Sequence, residues 1–384
     1  MDRVRTRLVA NGTPATAPTV AAAIRADGGA VLGDRVVLDI ADHVQTWLSR
    51  AGPLQPLLDD PGVTDVLVNG PSEVWFDRGE GLQRTGIDLR DETSVRSLAQ
   101  RLSVAAGRRL DDAAPWVDAR LPDGTRLHAV LSPVARSGTC ISLRVPPRRP
   151  FDLDDLEEAG SVDQAGRRLL EDVIEARLSF LVTGGTGAGK TTLLSCLLGL
   201  VPDTERLVLV EDTGELAPAH RHVVRLEARP DNVEGRGGVS LRDLVRQSLR
   251  MRPDRLVVGE VRGAEVVELL AALNTGHEGG CGTIHANAPM DVVARVEALA
   301  LAAGMTRAAV HSQLAAGLDA VIHVQRQARP GGSALRFVSE VGLLDRRPDG
   351  LVEVTTAAAV IPGTPLRRGP AYDRLCNVLT GRRT

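Results

Sequence analysis

The apolar positions fall into two different patterns along the 384 residues. Residues 1–30 are rich in Ala, Thr, Pro and Gly and show little periodicity, which predicts a mobile lead-in. Val36, Val37, Ile40, Val44 and Leu48 then recur at helical spacing, until Ala51-Gly52-Pro53 stops the helix. Short runs follow: Asp65-Val66-Leu67-Val68, Glu73-Val74-Trp75-Phe76, Arg126-Leu127-His128-Ala129-Val130-Leu131 and Cys140-Ile141-Ser142-Leu143-Arg144-Val145. These predict strands, punctuated by turns at Asn69-Gly70-Pro71-Ser72 and Pro122-Asp123-Gly124-Thr125. Asp91 predicts the cap of a helix with Val95, Leu98 and Leu102 on one face. The stretch as a whole reads as a small α+β domain.

A different pattern begins after Pro146-Pro147-Arg148-Arg149-Pro150, a stiff segment that cannot join a ladder. Continuous apolar runs, Leu178 to Val182, Leu207 to Val210 and Leu256 to Val258, alternate with helical stretches at Leu169 to Ala176, Leu241 to Met251, Glu265 to Leu273 and Asp291 to Ala302. Such runs suit a parallel sheet buried on both faces. Thr283-Ile284-His285 ends a further short strand, and Ala320 to Gln325, Leu335 to Leu343 and Leu351 to Thr355 predict three more. The arginine-rich stretch after Pro362 predicts a loosely packed basic tail. The layout expected is therefore a lead-in and helix over 1–50, an N-terminal α+β domain over 51–147, a linker over 148–160, and an α/β phosphate-loop domain over 161–384 with a mainly parallel sheet.

The strongest chemical signal lies at the start of that second pattern. Gly184-Gly185-Thr186-Gly187-Ala188-Gly189-Lys190-Thr191 satisfies GxxxxGK[ST], with a buried strand before it and the apolar helix Thr192-Leu193-Leu194 after it. In that context the glycines let several backbone N–H groups point at a phosphate, and the helix adds its positive N-terminal end. Lys190 offers a compact charge for the outer phosphates and Thr191 a hydroxyl for Mg²⁺, so a nucleoside triphosphate is the expected ligand. Lys190 is also the only lysine in the chain; every other cationic side chain counted with it is arginine. A slim point charge on a flexible stem is not interchangeable with a planar fork, which singles this position out.

Composition narrows the partners. With a net charge of −3 there is no global basic field, and 2% aromatic residues supply few stacking surfaces, both of which argue against a dedicated nucleic-acid binder. Cys140, Cys196, Cys281 and Cys376 lack metal-ligand spacing and read as reduced cytosolic thiols. No apolar run reaches the ~20 residues a membrane helix needs, so work at a membrane would be peripheral and through partners.

ATP hydrolysis needs a held metal, an oriented water and positive charge at the transferred phosphoryl group. Glu260 ends a buried strand where a Walker-B acid belongs. Glu211, Asp212 and Glu215, after another, compete for the role of base. His285 is flanked by small residues that would let it reach a γ-phosphate, and His277 stands in a glycine-rich loop. Arg126 and Arg144 lie on first-domain strands, where spacing alone favours ordinary surface ion pairing.

Taken together these blocks resemble the type II/IV secretion ATPase superfamily, and within it the Tad/Flp pilus-assembly branch. The resemblance rests on the Walker A loop, on Val210-Glu211-Asp212-Thr213-Gly214-Glu215-Leu216, on Leu249 to Gly263, on Leu273 to Asn287, and on Asp118 to Arg126 with Ile141 to Arg144, spanning about Leu54 to Leu344. It implies a RecA-like domain behind a smaller N-terminal domain, assembled as a homo-hexamer. By position, Glu260 resembles the Walker-B glutamate near Mg²⁺, Glu211 the catalytic carboxylate, and His285 the γ-phosphate contact. Arg126 and Arg144 are similar to N-domain arginines that reach nucleotide, joining Gly184 through Thr192 among the ATP-binding residues. The implied setting is the cytoplasmic face of the inner membrane, with a polytopic platform protein as partner. A ring ATPase for DNA transfer and a nucleotide-gated scaffold with little turnover are the alternatives.

Overall fold

In the computed structural model, the described residues are 51–382 except 80, 147–148, 230, 232–235, 277, 330–331 and 362–363. The expected lead-in, the helix at Val36 to Leu48 and His277 lie outside them. The chain divides into two compact units, Met1–Arg148 and Arg149–Thr384.

Unit one is built on a six-stranded antiparallel sheet. After the short helix α1 (Gln55–Asp59) come β1 (Asp65–Asn69), β2 (Val74–Asp77) and β3 (Leu82–Arg84), then helix α2 (Glu92–Ala105). Strands β4 (Trp116–Arg120), β5 (Arg126–Val130) and β6 (Cys140–Arg144) complete it in the order β3-β2-β1-β6-β5-β4. Every second residue of β1, β4, β5 and β6 is buried, because one face packs with Leu98, Leu102 and other apolar residues of α2 while the other meets solvent. The Asp91 carboxylate caps α2 by accepting from the Ser94 N–H at 2.8 Å, as its position before the apolar period requires.

Unit two opens with α3 (Leu153–Glu158) and α4 (Gln164–Glu175), followed by β7 (Phe180–Gly184), α5 (Lys190–Leu198), β8 (Leu207–Glu211) and β9 (Val223–Glu227). Next come α6 (Leu241–Ser248), β10 (Arg255–Val261), α7 (Glu265–Leu273), β11 (Cys281–Ile284), α8 (Asp291–Ala302) and α9 (Arg307–Gly317). The chain ends with β12 (Ala320–Arg329), β13 (Gly332–Arg346), β14 (Val352–Ala359), β15 (Arg367–Arg368) and α10 (Tyr372–Arg382). The sheet order is β15-β14-β13-β12-β7-β11-β10-β8-β9, parallel from β12 to β9 and antiparallel from β13 to β15. All five residues of β7 and of β8 are buried, since one sheet face packs on α4, α5 and α10 and the other on α6 to α9.

Two stretches differ from the pattern reading. The span expected as a linker over 148–160 carries α3, nucleated by the reciprocal capping of Asp152 and Asp155 that polar composition alone conceals. The basic tail is not loose: Leu375 and Leu379, one helical turn apart in α10, are buried, and Arg382 makes a two-pronged ion pair with Asp319 at 2.8 and 2.9 Å. Arginine-rich composition masked a two-leucine apolar stripe.

Candidate nucleotide site

The loop between β7 and α5 has glycine where backbone would otherwise collide. A Cβ at Gly184 would stand 2.2 Å from the carbonyl oxygen of Val324 on the neighbouring β12, so the strand can turn into the loop only without a side chain. The crown, Gly185 to Gly187, is exposed, whereas Ala188 packs into the core. Lys190 opens α5 and is 7% exposed; its Nζ donates to the carbonyls of Gly184 and Gly185, each at 3.1 Å. Burial lowers the lysine pKa, with the charge of Glu260 opposing that shift. Thr191 and Thr192 follow, half-buried, in the first helical turn.

Two strand ends meet this loop. His285, immediately after β11, lies with each ring nitrogen 3.4 Å from Lys190 Nζ. Its Nε2 comes within 2.9 Å of Glu260 Oε1 on β10, without the alignment of a hydrogen bond. Burial, and then the charge of Lys190, hold His285 below its ordinary pKa and so keep the ring neutral at pH 7. The other Glu260 oxygen pairs with Arg262 at 2.5 Å. Position-based reading assigned Arg262 no role, although it stands two residues from Glu260, just beyond the end of β10.

Glu211, at the end of β8, is 4% exposed and packs against Gly259 of β10, where a Cβ would come within 2.7 Å of Glu211 Cγ. One of its oxygens accepts from the backbone N–H groups of Glu215 and Leu216, both at 2.9 Å. Glu211 therefore fixes the loop that carries its two competitors. Asp212 is exposed, and its pKa is raised, first by desolvation and then by Glu265. Glu215 is exposed and within electrostatic reach of Lys190. Two buried polar atoms nearby have no hydrogen-bond partner among the described residues: Thr183 Oγ1 on β7 and His323 Nδ1 on β12, from residues directly opposite in the ladder.

Arg126 and Arg144 belong to the other unit, opposite each other on β5 and β6. Arg126 makes a two-pronged contact with Asp118 at 3.2 and 2.8 Å, and the Arg144 Nε approaches Asp65 to 3.4 Å.

Mg²⁺ fits this chemistry through oxygen donors. The buried Glu260 Oε1 has no hydrogen-bond partner among the described residues, and Thr191 supplies a hydroxyl. No cluster of three or more His, Cys, Asp or Glu side chains suited to a metal occurs among the described residues, so such an ion would draw most ligands from phosphate and water.

The sequence profile of the Type II/IV secretion system protein family matches residues 48–352. The chain belongs to this family. A Mycobacterium tuberculosis protein provisionally named for conjugal transfer is 57% identical over 332 residues, covering 85% of this chain and 93% of that protein. The Bordetella pertussis type IV secretion system protein PtlH is 31% identical, over 77% of this chain and 94% of its own. Among solved structures, the Legionella pneumophila ATPase DotB superposes with a TM-score of 0.54 at 19% identity, over 76% of this chain and 79% of DotB; that likeness is one of fold. Among the described residues no helix is long and apolar enough to cross a membrane.

Proposed function

We propose that this family member hydrolyses ATP with Mg²⁺ and that turnover drives a membrane-bound secretion or pilus-assembly machine of the Tad/Flp kind. One observation carries the reading: Lys190 at the start of α5 meets His285 and Glu260 from two strand ends at one phosphate loop. Phosphate groups entering the loop would take Lys190 Nζ from the Gly184 and Gly185 carbonyls, which hold it at 3.1 Å. Neutral His285 beside that charge can donate to a terminal phosphate oxygen without carrying a second cation. Bound Mg²⁺ would supply charge neutralisation across the outer phosphates, with Glu260 and Thr191 as its protein-side donors. Glu211 is the base in this scheme, and the Glu215 and Leu216 amides that bind one oxygen orient the other. Arg126 and Arg144 contribute to turnover from the N-terminal unit, and the working form is a homo-oligomeric ring partnered by a polytopic membrane protein on its cytoplasmic side.

The test is phosphate release by the purified chain with ATP and Mg²⁺. Wild type should turn over, Lys190→Ala should lose most of that turnover, and Glu211→Gln should retain nucleotide while hydrolysing slowly; equal turnover by wild type and Lys190→Ala rejects the site. Light scattering with and without nucleotide tests the ring. A second reading, a ring ATPase for DNA transfer, is favoured by the name of the mycobacterial relative. Turnover stimulated by DNA and steeply weakened by salt would select it over pilus assembly.

A further inference from the structure

The two flanks of the phosphate loop differ in charge. On the β11 side stand His285, Glu260, Asp212 and Glu215, all suited to the reacting end of a triphosphate. On the β12 side, the β12–β13 hairpin carries Arg326 and Arg336, directly opposite each other in the antiparallel ladder. Strand β12 pairs with β7 only as far as Val324 and Gly184, so its continuation carries Arg326 out beside the loop. Arg336 Nε donates to the carbonyl of Gly187 at 2.9 Å, and its Cδ lies 3.5 Å from the place of a Cβ on Gly189. Arg326 Nη1 stands 3.5 Å from the corresponding place on Gly187.

Both side chains are exposed, and no carboxylate among the described residues pairs with Arg326. Like charges directly opposite on neighbouring strands repel, and an anion lying against Arg326 would relieve that repulsion. A nucleotide whose outer phosphates point to Lys190, His285 and Glu260 must leave the loop by its other flank. The phosphates nearer the nucleoside are then the anion within reach of these guanidinium forks.

Building on the ATPase reading, we propose that Arg326 and Arg336 form a phosphate-binding edge for the nucleoside-proximal part of the nucleotide, the part shared by ADP and ATP. The edge holds substrate and product alike, so its contribution is to affinity and to ADP retention after hydrolysis. Arg336 also steadies the loop crown through Gly187, whereas Arg326 makes its contribution only when ligand is present.

The test is titration of the full chain with fluorescent ADP and ATP, with inorganic tripolyphosphate as competitor. Arg326→Gln should weaken ADP, ATP and tripolyphosphate by one common factor of about tenfold, and Arg326→Glu by more. Its melting temperature without nucleotide should match wild type, because the side chain is solvent-facing; Arg336→Lys serves where Arg336→Gln loosens the loop. Unchanged ADP affinity in Arg326→Gln overturns the proposal and leaves the ATPase reading standing. Weakening of ATP alone overturns it by moving the arginine to the outer phosphate, and weakening of ADP with tripolyphosphate unaffected overturns it by assigning the arginine to base or ribose. Failure of wild type to bind any nucleotide overturns both this edge and the reading beneath it.

Discussion

The two sheets of this chain solve the same burial problem differently, and the difference decides where each can put chemistry. In the N-terminal sheet one face is wet, so polar side chains such as His128 and Ser142 sit in the middle of strands. In the C-terminal sheet β7 and β8 are buried along their whole length, and a charged group can stand only where a strand ends. Glu211, Glu260 and His285 occupy such ends, and Lys190 follows the turn out of β7. A doubly covered parallel sheet therefore concentrates its reactive groups at one edge, whereas a one-faced antiparallel sheet spreads them over a surface.

The sharpest way to break this contrast is through the cores. Leu209→Ala in β8, fully buried between two helical layers, should cost about 2–5 kcal/mol, read by urea unfolding. An effect near that of a surface substitution would mean the sheet is not covered on both faces. Next is the reactive edge: Lys190→Ala should lower turnover by about 10²–10³-fold while melting changes little, measured as phosphate release at saturating ATP. Glu211→Ala should then cost about 1–3 kcal/mol of stability, because the Glu215 and Leu216 amides lose their acceptor. Glu211→Gln, which keeps an acceptor, should recover most of that stability but not turnover.

On the wet sheet, Arg144→Ala should alter stability by no more than about 0.5 kcal/mol, its pairing with Asp65 being long and solvent-exposed. A drop in ATP turnover without a drop in melting temperature would then assign the arginine a functional role. The smallest effect concerns pH. Burial depresses the pKa of His323, so the unfolded chain takes up the proton first. Its contribution to stability is intact above the ordinary value of 6.5 and is lost as pH falls from there toward the folded value. His323→Phe should flatten that acid slope, by under about 1.4 kcal/mol per pH unit, in unfolding titrations between about pH 7.5 and 5.5.

Local pattern alone was enough to reveal the phosphate loop, because its meaning lies in contiguous residues: a buried run, a glycine turn, one lysine and a helix. It also revealed the acids at the ends of β8 and β10, since continuous apolar runs announce where parallel strands stop. The α3 helix and the packed C-terminal helix α10 were hidden, because short capped or two-leucine elements carry little periodicity. Only the tertiary structure decided which candidates meet. Glu211 closes on Gly259 and Lys190 on His285 through strand adjacency, and Arg336 reaches Gly187 across 149 residues of sequence. Strand order and register set those distances, and neither is written in any local run of residues.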